Sequence, residues 1–396
     1  MSNTFFSIDM ITREALKLAH EKASFLGTIN RQFDSSWTSE GASGSTLRIR
    51  LPSQYTRTQG SRVMDIQDSE QQKTTLVRST QDHVDMRYNS AEFTNDLDGF
   101  NAFSKLHLEP AMAALVSGIE SDVLQGVSKL VYNVAGTAGT PPADLAAVGA
   151  ARAKLNQNLA PKDGNRFIQM DSVTMGGLVN GLKGLFQDSA QIKEQYREGM
   201  IGRTAMADFY ENERTWAMTN GTDVTTVTLD TYTVTEGDAD LTVTGFATPT
   251  AGMVFTLAGV YDVHPETKAA YAHLKQFVIL AGSTSTNILY SPAIYSTGPK
   301  QNVSALPATT AALVFVGAAS TAYQQNLMYH KDAFTFATAE LPLMGGSDRC
   351  VRKTYDGLSL RVWQQSDIRN DELLTRIDIL YGYAALRPQW ACRITS

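Results

Sequence analysis

The residues able to do chemistry in this chain are scattered rather than grouped. The run GGLVNGLKG (Gly176 to Gly184) has spacing faintly like a phosphate-binding loop, but Leu182 stands where the loop lysine belongs and no Lys-Ser/Thr pair follows. It falls inside an expected helix, where glycines serve close packing. GASGS (Gly41 to Ser45) lacks the Gly-x-Ser-x-Gly spacing and the later acid and histidine of a serine hydrolase. The six histidines, His20, His83, His107, His264, His273 and His330, share no zinc-binding spacing, and Cys350 and Cys392 form no pair motif. Asp96 with Asp98, and Asp367 with Asp371, are carboxylate pairs in loop-like stretches where solvation accounts for them. Sequons at Asn220 and Asn302 carry no weight without a secretory signal. No catalytic, cofactor-binding or metal-binding residue is assigned, no cofactor is expected, and the chain reads as a non-enzyme.

The elements that would position any site are more informative. Ile8, Ile11, Ala15 and Leu18 trace one face of a short helix whose apolar stripe must dock on its own core or on a neighbouring chain. STLRIRLP (Ser45 to Pro52) and HVDMRYN (His83 to Asn89, extending back toward Thr74) alternate with period two, and predict a long two-stranded ribbon with a polar tip. Leu47, Ile49 and Leu51 face one way, Arg48 and Arg50 the other. Met112, Leu115, Ile119, Val123, Val127 and Leu130 predict one helix from Leu108 to Tyr132, about 35–40 Å long. Helices over Asp144–Leu159 and Ser172–Phe186, the latter capped by Ser172, flank a strand at Arg166–Asp171. LSLRVW (Leu358 to Trp363), the polar tip QQSDIRNDE (Gln364 to Glu372) and TRIDILYGYAAL (Thr375 to Leu386) predict a long antiparallel hairpin.

Composition narrows the class. The 396 residues are 43% hydrophobic and 19% charged, which excludes a mainly disordered chain and suggests two or three domains. Thirty-four basic against 40 acidic residues, a net charge of −6, argue against a protein whose main task is gripping phosphates. The charge is uneven: residues 219–330 hold three lysines against seven carboxylates, and so carry −4 of the −6. That stretch has no Arg, Trp or Cys and is rich in alternating Thr and Val, which indicates an all-β module inserted in a mixed host. The N-terminus does not read as a signal peptide and no apolar run is long enough for a membrane span, so a soluble protein without a membrane partner is expected. Two cysteines in this length favour a reducing compartment.

Five ordered segments carry a resemblance. AGMVFTLAGVYDVHPETKAAYAHLKQFVIL (Ala251 to Leu280) resembles the core motif of the insertion domain in P22-type tailed-bacteriophage coat proteins. YREGMIGRTAMADFYEN (Tyr196 to Asn212), AFTFATAELPLMGG (Ala333 to Gly346), YDGLSLRVWQQSDIRND (Tyr355 to Asp371) and RIDILYGYAALRPQWACRI (Arg376 to Ile394) are similar to family segments in order and spacing. Before about Asn95 no signature matches.

The resemblance implies an α+β chain with the HK97-type capsid fold and an inserted all-β, telokin-like domain. Its layout would be an N-terminal arm at 1–22, a P-domain at 23–44, 90–135 and 358–380 with its spine helix at 108–132, and an E-loop at 45–89. An A-domain would occupy 136–220, 323–357 and 381–396, and the β-barrel insertion 221–322. The implied function is a major capsid protein that assembles with itself, as pentamers and hexamers, into an icosahedral shell enclosing double-stranded DNA without sequence-specific binding. A scaffolding protein and a portal at one vertex are the implied partners, with assembly in the host bacterial cytoplasm and residence in the virion. On this layout Arg48, Arg50, Arg57, Arg62, Asp367, Arg369 and Asp371 are the expected inter-subunit contacts. The alternatives are a surface-exposed β-rich adhesin or capsid decoration protein, suggested by the Thr-rich module, and a hydrolase with an unrecognised site.

Overall fold

The computed structural model describes residues 8–32, 46–89 except 61, 65, 69 and 70, 104–181, and 203–396 except 223, 225, 226, 232, 233, 347, 356 and 357. Along the chain come helix α1 (Ile8–Lys22), strands β1 (Thr46–Arg50), β2 (Lys73–Val77) and β3 (Thr80–Asn89), and helix α2 (Glu109–Ser128). Then follow β4 (Val134–Ala135), α3 (Leu145–Gln157), β5 (Arg166–Met170), α4 (Ser172–Gly181), β6 (Arg203–Thr204), β7 (Ala207–Glu211) and β8 (Trp216–Thr219). The inserted strands are β9 (Thr228–Leu229), β10 (Asp240–Thr244), β11 (Val254–Val263), β12 (Ala270–Ile279), β13 (Asn287–Ser291) and β14 (Leu313–Phe315). Last come β15 (Ala322–His330), β16 (Phe334–Ala339), β17 (Arg349–Tyr355), β18 (Leu358–Asp367), β19 (Glu372–Ala385) and β20 (Ala391–Thr395). They form two compact units, one of residues 1–49, 74–123 and 334–384, the other of 50–73, 124–333 and 385–396.

In the first unit, β16, β19, β18 and β17 lie side by side and β3 also pairs with β19. β17 and β18 pair antiparallel from Arg349↔Gln364 to Tyr355↔Leu358. β16 is buried at every position, as expected of a strand covered on both faces. Helix α1 buries Ile8, Ile11, Ala15 and Leu18 and packs on β17 and β18, so its apolar stripe docks on its own chain. A salt bridge of 2.8 Å from Lys353 to Asp9 ties the first turn down. The buried carboxylate of Glu120 on α2 accepts the backbone N–H groups of Phe25 (2.6 Å) and Leu26 (3.2 Å), satisfying two buried donors in the turn that follows α1.

The centre of this sheet holds an ionic cluster. Asp378 on β19 is fully buried and accepts both arms of Arg361 on β18, its partner in register, with Nε at 3.0 Å. Arg376 Nε lies 3.4 Å from the same carboxylate and Gln81 Nε2 donates to it at 3.2 Å. Arg361 also donates to the Pro342 carbonyl at 2.7 Å.

In the second unit the strand order β4-β20-β15-β5-β7-β6, with β8 also on β15, makes one sheet, with α3 against β20 and β15. Residues 228–315 make a separate sheet in the order β14-β11-β12-β13-β10-β9. It closes on itself, because Leu313 N donates to Val227 O and Leu229 N to Ala311 O, each at 3.0 Å. Closure removes both free edges. The interior is aromatic: Phe255, Phe277, Tyr290 and Phe315 are buried together.

Four expectations need correction. The partner of β1 is β2, whereas β3 pairs for ten residues with β19, from Glu372↔Asn89 to Tyr381↔Thr80. Alternation marked both strands but carries no information on which edge each one meets. The long helix is α2, Glu109–Ser128, preceded by a π-helical turn at Ser104–Leu108. Helix α4 is capped by Asp171, whose Oδ2 accepts Thr174 N at 3.2 Å; Ser172 lies inside the helix. The hairpin tip is shorter than expected, since pairing continues to Asp367↔Glu372 and only 368–371 turn.

Removing the charge of Asp378 leaves the Arg361 cation buried without its counter-ion. Asp378→Asn is expected to cost about 3–5 kcal/mol in urea unfolding. A cost below about 1 kcal/mol, the value of an exposed pair, would contradict the role assigned to this cluster.

Candidate interaction surfaces

Among the described residues, no three His, Cys, Asp or Glu side chains come together to hold a metal ion. Gly177 and Gly181 serve packing: a Cβ at Gly177 would stand 3.2 Å from the Pro142 carbonyl, and one at Gly181 would meet the Ala143 carbonyl at 1.8 Å. Burial pushes the Cys392 thiol up to about 12, which removes it as a nucleophile. Asn220, in one sequon, is buried and donates to the carbonyls of Val316 (2.9 Å) and Ala318 (3.0 Å). GASGS and the pair Asp96 and Asp98 lie outside the described residues.

The β1–β2 ribbon keeps its sides as alternation requires: Ile49 and Leu76 are buried, Arg48 and Arg50 exposed. The ladder continues with Leu51 N donating to Gln72 O at 2.9 Å. Gln67 then braces the loop, its amide accepting Thr56 N at 2.8 Å and donating to Thr56 O at 2.7 Å. Beyond this brace are exposed Arg57 and Arg62 and a group that the sequence reading missed: Val63, Met64 and Ile66 are 79%, 82% and 79% exposed. Apolar side chains so exposed, framed by arginines, have the composition of a contact surface. The VMDI stretch is a detectable signal in a segment otherwise read as a polar tip.

At the other surface Asp367 shapes the turn. Its Oδ1 accepts Arg369 N at 2.9 Å and its Oδ2 accepts the Asn370 amide at 2.7 Å. Asp371 takes a left-handed φ of 53° and Ile368, at 98%, is almost fully exposed. Asp367 thus acts within the turn, while Arg369 and Asp371 are exposed beside Ile368. The structure brings Asp367, Arg369 and Asp371 together at one tip, and Arg57 and Arg62 together on one loop.

Within the second unit the closed barrel is joined to the seven-stranded sheet by polar contacts. Fully buried Arg393 on β20 donates to the Gly252 carbonyl at 2.8 Å. Gly252 has φ +99°, and a Cβ there would stand 2.6 Å from the Trp216 ring, over which Lys129 lies at 5.3 Å. Gln276 and Val134 exchange hydrogen bonds, Val134 N donating at 3.0 Å and the Gln276 amide donating back at 3.1 Å. Close by in sequence, buried Lys275 donates to Asp262 at 2.9 Å and His273 Nε2 lies 3.3 Å from the same carboxylate. Burial first, and the charge of Lys154 second, hold the His273 imidazole below its ordinary 6.5 although Asp262 opposes this.

Residues 42–393 match the P22 coat protein family, described as "P22 coat protein - gene protein 5". No curated protein matches the sequence. Among solved structures, "Mycobacterium phage Che8" is similar at 12% identity and a TM-score of 0.50, covering 94% of this chain and 90% of that one. "Capsid of Ralstonia phage GP4" is similar at 9% identity and a TM-score of 0.44, covering 89% and 84%. "CUS-3 coat protein I-domain" is 26% identical over 24% of this chain and 97% of that one, with a TM-score of 0.20.

Two outcomes follow from the barrel contacts. Gly252→Ala is expected to lower the unfolding free energy by about 1–3 kcal/mol, because the added methyl has neither a suitable φ nor space beside Trp216; wild-type stability would contradict the close approach. His273 binds a proton more weakly folded than unfolded, so stability present above about pH 6.5 is lost as the pH falls below it. Urea midpoints measured from about pH 7.5 down to 5.5 are expected to fall less steeply in His273→Gln than in wild type. Equal slopes would contradict the assignment.

Proposed function

Because the chain belongs to the P22 coat protein family, it is a shell-forming bacteriophage coat protein located in the virion, and we propose that the β1–β2 ribbon and the β18–β19 tip are where copies of it meet. Family membership implies a structural rather than an enzymatic protein. Similarity to capsid structures supports a mixed α+β fold of that kind. The observation that carries the surface assignment is the exposure of Val63, Met64 and Ile66 beyond two arginines. Repeated cover of the same surface on identical copies produces closed symmetric assemblies.

In the finer reading the layout is HK97-type, with α2 as the spine helix, the ribbon as the E-loop, residues up to Lys22 as the N-terminal arm and the closed barrel as a telokin-like insertion. Pentamers and hexamers then build an icosahedral shell, with a scaffolding protein during assembly in the host cytoplasm and a portal at one vertex. Double-stranded DNA is enclosed without sequence-specific contacts. The net charge of −6 supports this, since a basic lining would retain phosphates that must slide during filling.

Arg48 and Arg50 are exposed, so reversing both to Glu is expected to change the stability of the isolated subunit by no more than about 0.5 kcal/mol each. The yield of closed particles, counted by electron microscopy, is expected to fall at least about tenfold, the effect of about 1.4 kcal/mol at the contacts. Unchanged particle yield would count against the ribbon as a contact between copies.

A further inference from the structure

The inserted segment 219–330 contains three basic side chains, Lys268, Lys275 and Lys300, and all three line one cleft of about 690 Å³. Arg387, from the stretch before β20, lines it too. Of the seven carboxylates in that segment, only Glu266 is among the described residues of the lining. Charge is therefore segregated: the module is acidic as a whole and cationic at this cleft.

The cations differ in what holds them. Lys275 is neutralised by Asp262 at 2.9 Å and serves the barrel. Lys268 donates to the carbonyls of Pro299 (2.7 Å) and Gln301 (3.2 Å), which position its ammonium without cancelling its charge. Lys300 lies 5.6 Å over the Tyr295 ring and Arg387 4.1 Å over the Trp390 ring, and Asp332, the charge opposing Arg387, is outside the lining. Gln54 and Gln72, at the base of the ribbon, add amide donors and acceptors to the wall. The volume suits a ligand of a few side chains.

We propose that this cleft binds an extended acidic peptide segment of a partner protein, with its carboxylates reaching Lys268, Lys300 and Arg387 and its backbone meeting the amide side chains. The charge distribution favours a peptide over nucleic acid. Duplex DNA is too broad to enter and would lie against the surrounding acidic module within about a Debye length, 8 Å at physiological salt. A single carboxylate-bearing segment enters the cleft, where Lys268, Lys300 and Arg387 outnumber the one described lining carboxylate, Glu266.

The test is fluorescence anisotropy of a labelled hexaglutamate peptide titrated with the purified full chain. Labelled hexaglutamine and a labelled DNA duplex are run in parallel, and inorganic phosphate is used as a competitor. Saturable hexaglutamate binding is expected, with affinity reduced at least tenfold by Lys300→Glu, less by Lys300→Gln, and unchanged by Arg349→Glu at an exposed position on β17 outside the lining. Arg387→Gln, checked for native circular dichroism, is expected to weaken binding as well. The proposal is overturned by absent or non-saturable binding, by equal binding of hexaglutamine, by tighter binding of the duplex, by displacement with phosphate alone at equal charge, or by indifference to both Lys300→Gln and Arg387→Gln.

Discussion

A carboxylate with no exposure to solvent sits in the middle of the longest strand, and the first unit is organised around keeping it paired. Asp378 can be buried only if cations reach it in fixed geometry, because a lone buried charge costs several kcal/mol. Arg361 meets it only when β18 and β19 are in register, and Gln81 reaches it only when β3 lies on the other edge of β19. A slip of one residue between β18 and β19 would strand the charge, one between β3 and β19 would lose the Gln81 amide, and either would turn the slipped strand's side chains to the wrong face. The tip at 368–371 is thereby projected from a strand pair whose alignment is fixed at its base.

Extension without self-cover is the other recurring property. Twenty-two residues lie between β1 and β2, braced by Gln67 against Thr56, and Val63, Met64 and Ile66 among them are carried outward. A monomer gains nothing from exposing Val63, Met64 and Ile66. A subunit of a shell does, because such area stays available until copies associate. The closed barrel shows the opposite arrangement: its edges are paired to each other and its aromatic residues face inward.

Much of the architecture was legible because periodicity reports burial. The stripes Ile8, Ile11, Ala15, Leu18 and Met112, Leu115, Ile119, Val123 are buried as expected, and the change in composition after Thr219 marks the start of the barrel region. Pairing was not legible. β1 and β3 alternate equally well, and nothing in HVDMRYN says that its partner is nearly 300 residues away rather than across the adjacent loop. Asp171 and Ser172 are both good caps, and only the backbone decides between them. The buried roles of Asp378 and Arg393 were equally hidden, since a charged residue in a strand reads as solvent-facing until its partner is known. Of the expected contact residues, Arg48 and Arg50 are exposed as their phase on β1 predicts, and Asp367 in addition shapes the turn it precedes, a role that spacing alone does not reveal.

The central claim is that this chain builds a shell from copies of itself. Electron microscopy of the purified wild-type protein, expressed with and without a scaffolding partner and taken through a series of assembly conditions, tests it most directly. Closed particles or ring-shaped capsomers are the predicted result, and monomers persisting under every condition would contradict the account.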